Sequence, residues 1–256
     1  MTGAAGSGRP DVVWSHLDAA GTGWLRAAAA DVAAHPKRVR ALFPAAGHHC
    51  GRFPLAAGDP DGLVHGTVDD AARHVLLAAL PLGSHELAAE VADLYRFGDA
   101  AERRGVLRGL ASLDLPRAHG DGVGSHLTYL VLDALRTNDR RLVAAALGPY
   151  ARRIGDHDWR HGVLKCLFSG IPLAVVADLG SRADAVLAQM FVAFAHERVA
   201  AGRDVPPDTW LVVNRYPELL AGSTLPGELV SPVSARRDAA RRAMAGRSQS
   251  RDGRGG

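Results

Sequence analysis

From Asp158 to Arg203 the chain carries apolar residues on more than one helical face, a pattern that predicts three consecutive buried helices. The first runs from Asp158 to Ser169 and is closed by Gly170 and Pro172, since glycine accepts the left-handed cap and proline cannot continue the ladder. A short second helix reaches about Asp178. The third opens at Ser181-Arg-Ala-Asp184, with the serine hydroxyl as cap, and runs to Gly202 as the longest of the three. Within it Leu187, Met190, Phe191 and Phe194 form one stripe, with Val192 and Val199 on another side. Such a rod is expected between neighbours, and the polar run His196-Glu197-Arg198 in it needs partners, because buried charges are costly alone.

The rest of the chain follows the same helical code. Residues 1 to 9 read as a flexible start. Val13, Leu17, Trp24, Leu25 and Val32 then supply the apolar contacts of an alanine-rich helical segment. Leu42 to Gly66, interrupted by Pro44, Pro54 and Pro60, reads as a long irregular connection. Asp69 is expected to cap a helix reaching Leu80, and Ser84 starts another to Tyr95. Asp99-x-x-Glu102 has capping-box spacing for a third, to Leu113. A glycine-rich loop at Arg117–Gly124 precedes a helix from Ser125 to Arg136, and Asp139 begins one reaching Ala151. Alternating β-branched runs are missing. The fold class expected is therefore all-α: stacked antiparallel helical hairpins, as an α-solenoid of HEAT-like layering or a compact helical bundle.

Several of these segments, in this order, closely resemble the EboA family. Val163-Leu-Lys165-Cys-Leu-Phe-Ser-Gly170-Ile-Pro172-Leu173 matches its V-L-K-A-x-F-x-G-x-P-L. Arg182-Ala-Asp184 matches its R-A-N turn, and Ala195 to Arg203 its A-H-E-R-x-A-A-G-R. Upstream, Thr67 to Arg73 resembles V-D-Q-A-A-R, Arg136-Thr-Asn138 resembles R-T-N, and Pro149-Tyr150 with Trp159 resemble N-P-Y-P and A-W-N-Q. Gly51-Arg-Phe-Pro-Leu55 stands where the family has G-K-x-P-L, so Arg52 keeps a basic charge. The resemblance spans roughly residues 14 to 215. It implies a part in making or moving a small secondary metabolite, encoded in ebo gene clusters, with no defined reaction attached.

Composition narrows the class further. Hydrophobic residues make up 47% of the 256, ample for a core, yet no uninterrupted apolar run is long enough to span a bilayer. The N-terminus lacks the charged start and apolar core of a signal peptide, so the location expected is cytoplasmic, with no transmembrane segment. Cys50 and Cys166 offer no disulfide framework. The formal charge of +3 is uneven: residues 231–256 hold seven Arg and two Asp, a net of +5, which leaves −2 for the first 230. That tail, rich in Arg, Gly and Ser, reads as disordered beyond a helical turn over Ala235–Met244. Lys37 and Lys165 are the only lysines among thirty basic residues, a bias of genome composition more than of phosphate recognition, and no specific nucleic-acid partner is expected. The domain division is thus 1–9 flexible, 10–230 a single helical domain, and 231–256 a tail.

Signatures of chemistry are weak. His157 and His161 have the i, i+4 spacing of zinc-binding helices but lack the glutamate that would serve as base and a third ligand. His48-His49-Cys50 lies in the expected loop, and Gly120-x-Gly122-x-Gly124 lacks a preceding strand for a phosphate cradle. G-x-S-x-G and C-x-x-C are absent. No cofactor and no metal is implied. The candidate ligand-binding residues are Arg136, Asn138, Lys165, Arg182, His196, Glu197, Arg198 and Arg203, polar positions within the matched motifs. They serve either as interhelical pairs or as a cationic pocket for an anionic or polar small molecule. The function expected is a non-catalytic binding or scaffold protein whose partners are a small metabolite, other ebo-cluster proteins, or both. The alternative is an enzyme acting on a phosphorylated or cyclic polyol through Lys165, His196 and Glu197.

Overall fold

The computed structural model describes residues 10–113 and 127–252. These residues are all-α; the nearest approach to β structure among them is an isolated antiparallel bridge between Pro54 and Thr67. The expected flexible start at 1–9, the glycine-rich loop and the helix start at Ser125 lie outside the described residues. The chain divides into two compact units, Met1–Gly162 with Ala174–Ala177, and Val163–Leu173 with Asp178–Gly256. The stretch read as one domain, 10 to 230, spans both.

In the first unit the helices are α1 (Ala19–Ala34), α2 (Val39–His49), α3 (Val68–Ala78), α4 (Ser84–Phe97), α5 (Ala100–Gly109), α6 (Thr128–Arg136) and α7 (Arg140–Ala146). Sequence neighbours pack together: α1 on α2, α4 on α5, α6 on α7. Helix α3, in contrast, touches α1, α2, α5 and the turn at Pro10–His16, so the unit is gathered around it. Its core includes Leu25, Phe43, Leu76, Leu77, Leu110 and Leu130, all fully buried. Local signals explain most of the boundaries. The Asp99–Glu102 capping box is formed, and Asp139 caps α7 through the amides of Arg141 and Leu142.

Several boundaries differ from expectation: α7 stops at Ala146, with a separate 3₁₀ turn at Pro149–Arg153 where one helix to Ala151 is expected, and two further differences have a clear cause. Helix α2 continues through Pro44 to His49, so the irregular connection begins at Gly51 rather than Leu42. The buried faces of Val39, Phe43 and Ala46 hold the helix across the missing amide. The cap of α3 is Thr67, not Asp69: Asp70 reaches back to accept from the Thr67 amide at 3.2 Å, while Asp69 is fully buried inside the first turn.

Helix α8 (Asp156–Ser169) leads into the second unit, which holds α9 (Leu179–Arg182), α10 (Ala185–Ala200), α11 (Thr209–Val213), α12 (Pro217–Ala221) and α13 (Ser234–Asp252). Helix α8 ends as its sequence requires. Gly170 sits at φ +65°, and the Ile171 amide bonds back to the Cys166 carbonyl at 2.9 Å, a Schellman closure. The helix expected up to Asp178 is only a 3₁₀ turn at Leu173–Val175 followed by four-residue α9. The cap of α10 is Asp184, which accepts from the Leu187 amide at 3.0 Å, rather than Ser181. Helix α10 is surrounded by α11, α12, α13 and the turn at Leu225–Val230, around buried Phe191, Trp210, Val213 and Leu225. Where disorder is expected after Ser231, the chain instead forms α13, with Ala239, Ala240 and Ala243 buried. Alanine is the strongest helix former, and it packs closely without lending the segment an apolar signature.

Candidate functional site

The polar start of α3 and the facing side of α5 build a dense, buried ionic cluster. Asp69 accepts from Thr67 Oγ1 at 2.6 Å and from Arg73 Nη1 at 2.5 Å, with Arg104 Nη2 at 3.4 Å. Asp70 receives Arg104 Nε on both carboxylate oxygens, at 2.7 and 2.8 Å. Arg73 also donates to the Phe43 carbonyl of α2 and lies over the Phe43 ring. Asp69, Asp70, Arg73 and Arg104 are all buried. Ions removed from water cost several kcal/mol each unless their hydrogen bonds are replaced, and here each is bonded to more than one partner.

Two glycines on α5 allow this approach. A Cβ on Gly105 would lie 2.6 Å from Arg73 Cδ, and one on Gly109 would lie 2.9 Å from Leu77 Cδ1. Arg73 and Leu77 are themselves one turn apart on α3, so a glycine pair receives an i, i+4 pair of side chains and fixes the register of the two helices.

The same helix face organises the connection before α3. Asp59 is buried and its carboxylate accepts the amides of Leu63, Val64 and His65 at 2.8–2.9 Å. Arg108 donates to the carbonyls of Gly62 and Leu63 at 2.8 Å each. Its Nε lies 3.3 Å from Asp70 Oδ2 but is misaligned for a hydrogen bond, so that contact is ionic only. Burial pulls the Arg108 guanidinium below its ordinary value while Asp70 pulls it back; an arginine starts so high that it stays charged. Three carboxylates, of Asp59, Asp69 and Asp70, thus stand against three guanidiniums, of Arg73, Arg104 and Arg108.

Above this balanced floor lies a cavity of about 150 Å³. Its walls are mainly apolar, with Leu55, Leu63, Leu107, Ala145 and Pro149 among them, and its polar lining comes from Asp70, His74, Arg108 and His65. His65 is exposed at the rim, whereas His74 is only 6% exposed. Burial pushes the His74 imidazolium below its usual value of 6.5, so the ring is neutral at physiological pH.

The tautomer of His74 follows from its partner. Ser112 Oγ donates to the Gly109 carbonyl at 2.7 Å, so its one proton is engaged there and it accepts from His74 Nε2–H. Nδ1 then carries the lone pair, and no donor to it is present among the described residues. A serine whose proton is held by a carbonyl, beside a histidine that is donating to it, is not an activated nucleophile. Asp70, saturated by Arg104, is not a free base either.

The residues singled out from sequence lie elsewhere, and none of the eight lines this cavity. In the first unit, Arg136 and Asn138 are exposed at and after the end of α6. In the second, Lys165 and Arg182 are half-buried on α8 and α9, each engaged in interactions of its own. His196 faces Glu228 at 3.4 Å and Thr224 Oγ1 at 3.3 Å, Glu197 is exposed, and Arg198 donates through Nε to the Asp204 carbonyl while covering the Phe194 ring. Arg203 is exposed, with its amide on the Arg198 carbonyl. Successive helical residues project roughly 100° apart, which sends His196, Glu197 and Arg198 to different surroundings. Arg198 finds its partner in a loop carbonyl, that of Asp204.

The remaining motifs resolve as structure. His49 ends α2 and stacks on Trp24 at 4.5 Å, and His157 and His161 are exposed with rings 4.3 Å apart. Among the described residues, no group of three His, Cys, Asp or Glu is placed to hold a metal ion. Burial pushes Cys50 up to about 11 and Cys166 up to about 12, so both remain thiols at neutral pH. Also among the described residues, no helix is long and apolar enough to cross a membrane.

The sequence did contain a trace of the cavity. Asp69, Asp70 and Arg73 fall within the matched helix start, and Gly105 and Gly109 are four apart in a predicted helix; what it lacked was the pairing of α3 with α5. No curated protein and no solved structure matches the chain. A family model described as "Metabolite traffic protein EboA" matches residues 63–214, more than half of the chain and a span that includes all of α3 and α5. The chain belongs to the EboA family.

Proposed function

We propose that the protein is a non-catalytic binding protein that holds a small metabolite in the α3/α5 cavity and assists its synthesis or traffic in an ebo-type secondary-metabolite pathway. The observation that carries this reading is the combination of an apolar cavity with charged groups that are already committed. Asp70 is held by Arg104, Arg108 by loop carbonyls, and Nε2 of His74 by Ser112, which stands behind the lining, so the cavity suits recognition better than proton transfer or nucleophilic attack. The family's traffic role, taken from its description, is consistent with a protein that holds a molecule without transforming it.

The test is native mass spectrometry of the full chain purified gently from cells that express the neighbouring genes. A bound small molecule is expected with the wild type and lost with Ala71→Phe, which projects a ring into the cavity from a half-buried position on α3. Retention of the ligand by a folded Ala71→Phe protein would move the site elsewhere. Turnover of the captured molecule by the purified chain would replace the binding reading with an enzymatic one.

A further inference from the structure

The polar geometry of the cavity also selects among ligands. We infer that it accepts an uncharged, compact apolar group, a single ring or a branched chain of similar size, bearing one hydroxyl that donates to His74 Nδ1. This rests on the reading of the α3/α5 cavity as the binding site.

Size sets the first limit. A cavity of about 150 Å³ is comparable to engineered apolar cavities of roughly that volume that take up benzene. A fused polycycle or a nucleotide would not fit within it, although a longer ligand could leave its remainder outside the mouth, where His65 is exposed.

Charge sets the second. The guanidinium nearest the cavity, Arg108, is matched by Asp70 in the same lining and spends its Nη2 donors on Gly62 and Leu63. The two together present no net charge, so a carboxylate or phosphate entering among leucines and alanines would lose hydration without gaining a free counter-ion. The neighbouring carboxylates, Asp59 and Asp69, are likewise occupied, by backbone amides and by Arg73 with Thr67. A ligand cation finds no open acid.

Hydrogen bonding sets the third. Because Ser112 fixes Nε2 as the donor, Nδ1 can only accept. Before a ligand enters, water can bond this atom; a plain hydrocarbon would displace that water and leave the acceptor without a donor, whereas a ligand hydroxyl replaces the lost bond. A ketone or ether of the same shape cannot donate and gains nothing there.

Phenol, toluene and benzoate are matched probes of these limits, titrated by ligand-observed NMR against the full chain at pH 7.5. Phenol is expected to bind the wild type at least about tenfold more tightly than benzoate. The phenol-to-toluene affinity ratio is expected to fall about tenfold in His74→Leu, the effect of one net hydrogen bond, and to recover in part in His74→Gln, whose amide oxygen can accept. Benzoate binding as tightly as phenol, or a ratio that His74→Leu leaves unchanged, overturns the hydroxyl inference while the cavity still binds. Failure of all three probes to bind, or binding that a folded Ala71→Phe protein keeps in full, overturns the reading of the cavity itself.

Discussion

Helices α3 and α10 hold the same place in their respective units, each touched by several neighbours at once, yet they treat their polar residues in opposite ways. Helix α3 buries two aspartates, an arginine and a histidine in its first two turns, pairing Asp69 with its own Arg73, Arg73 with the Phe43 carbonyl, and Asp70 with Arg104 of α5. Helix α10 buries Leu187, Phe191, Phe194 and Val199, and lets His196, Glu197 and Arg198 reach partly or wholly toward solvent. Polar residues in a sequence-rich motif are therefore poor guides to a site by themselves. What separates the two helices is whether a second helix arrives with the complementary charge, and a cavity opens beside α3, where it does.

The largest test of this contrast is Asp69→Ala. It strands Arg73 and part of Arg104 in the core, and removal of one member of a buried ion pair costs about 3 to 5 kcal/mol. The urea midpoint should fall accordingly, or the protein should not fold; a shift near that of an exposed substitution would show that the cluster is hydrated and the contrast false. Arg198→Ala is expected to cost only about 1 kcal/mol, because the side chain is half-buried and gives up one carbonyl hydrogen bond and a ring contact. A loss as large as that of Asp69→Ala would place Arg198 among the core charges after all.

The smallest effect concerns pH. His74 is neutral in the fold because burial lowers its pKa below 6.5, so the unfolded chain binds more protons as pH falls through that value, and stability must fall with it. The contribution is complete above pH 6.5 and is lost below it. Thermal unfolding of the wild type between pH 7.5 and 5 should therefore decline more steeply than that of His74→Gln. Parallel curves would mean that His74 titrates in the fold as it does in the unfolded chain, and that its burial is weaker than the fold implies.

Secondary structure is legible at several local devices, although the caps of α3 and α10 fall on Thr67 and Asp184 rather than on Asp69 and Ser181. The Asp99–Glu102 box, the Asp139 cap and the Gly170 closure each need only a few residues, and each is formed. Misreadings arose where packing decides. Pro44 reads as a break but sits in a helix whose buried face outweighs the lost bond, and α13 reads as a tail because the residues it buries are alanines. The cavity was least legible, since Asp70 and Arg104 are 34 residues apart and nothing in either segment names the other. The helix start that contains Asp70 lies within a matched motif, but a motif marks a segment and not its partner across the fold.

The charge cluster also bears on time. Until α5 docks, Asp69 and Asp70 keep their water, and so do Arg104 and Arg108; docking must strip all four together, within a register that Gly105 and Gly109 leave no room to approximate. A step in which dehydration precedes reward has a high barrier in both directions. Unit 1 should therefore assemble slowly once its helices exist and, more usefully, come apart slowly, so that its working lifetime is governed by the rate at which water re-enters between α3 and α5.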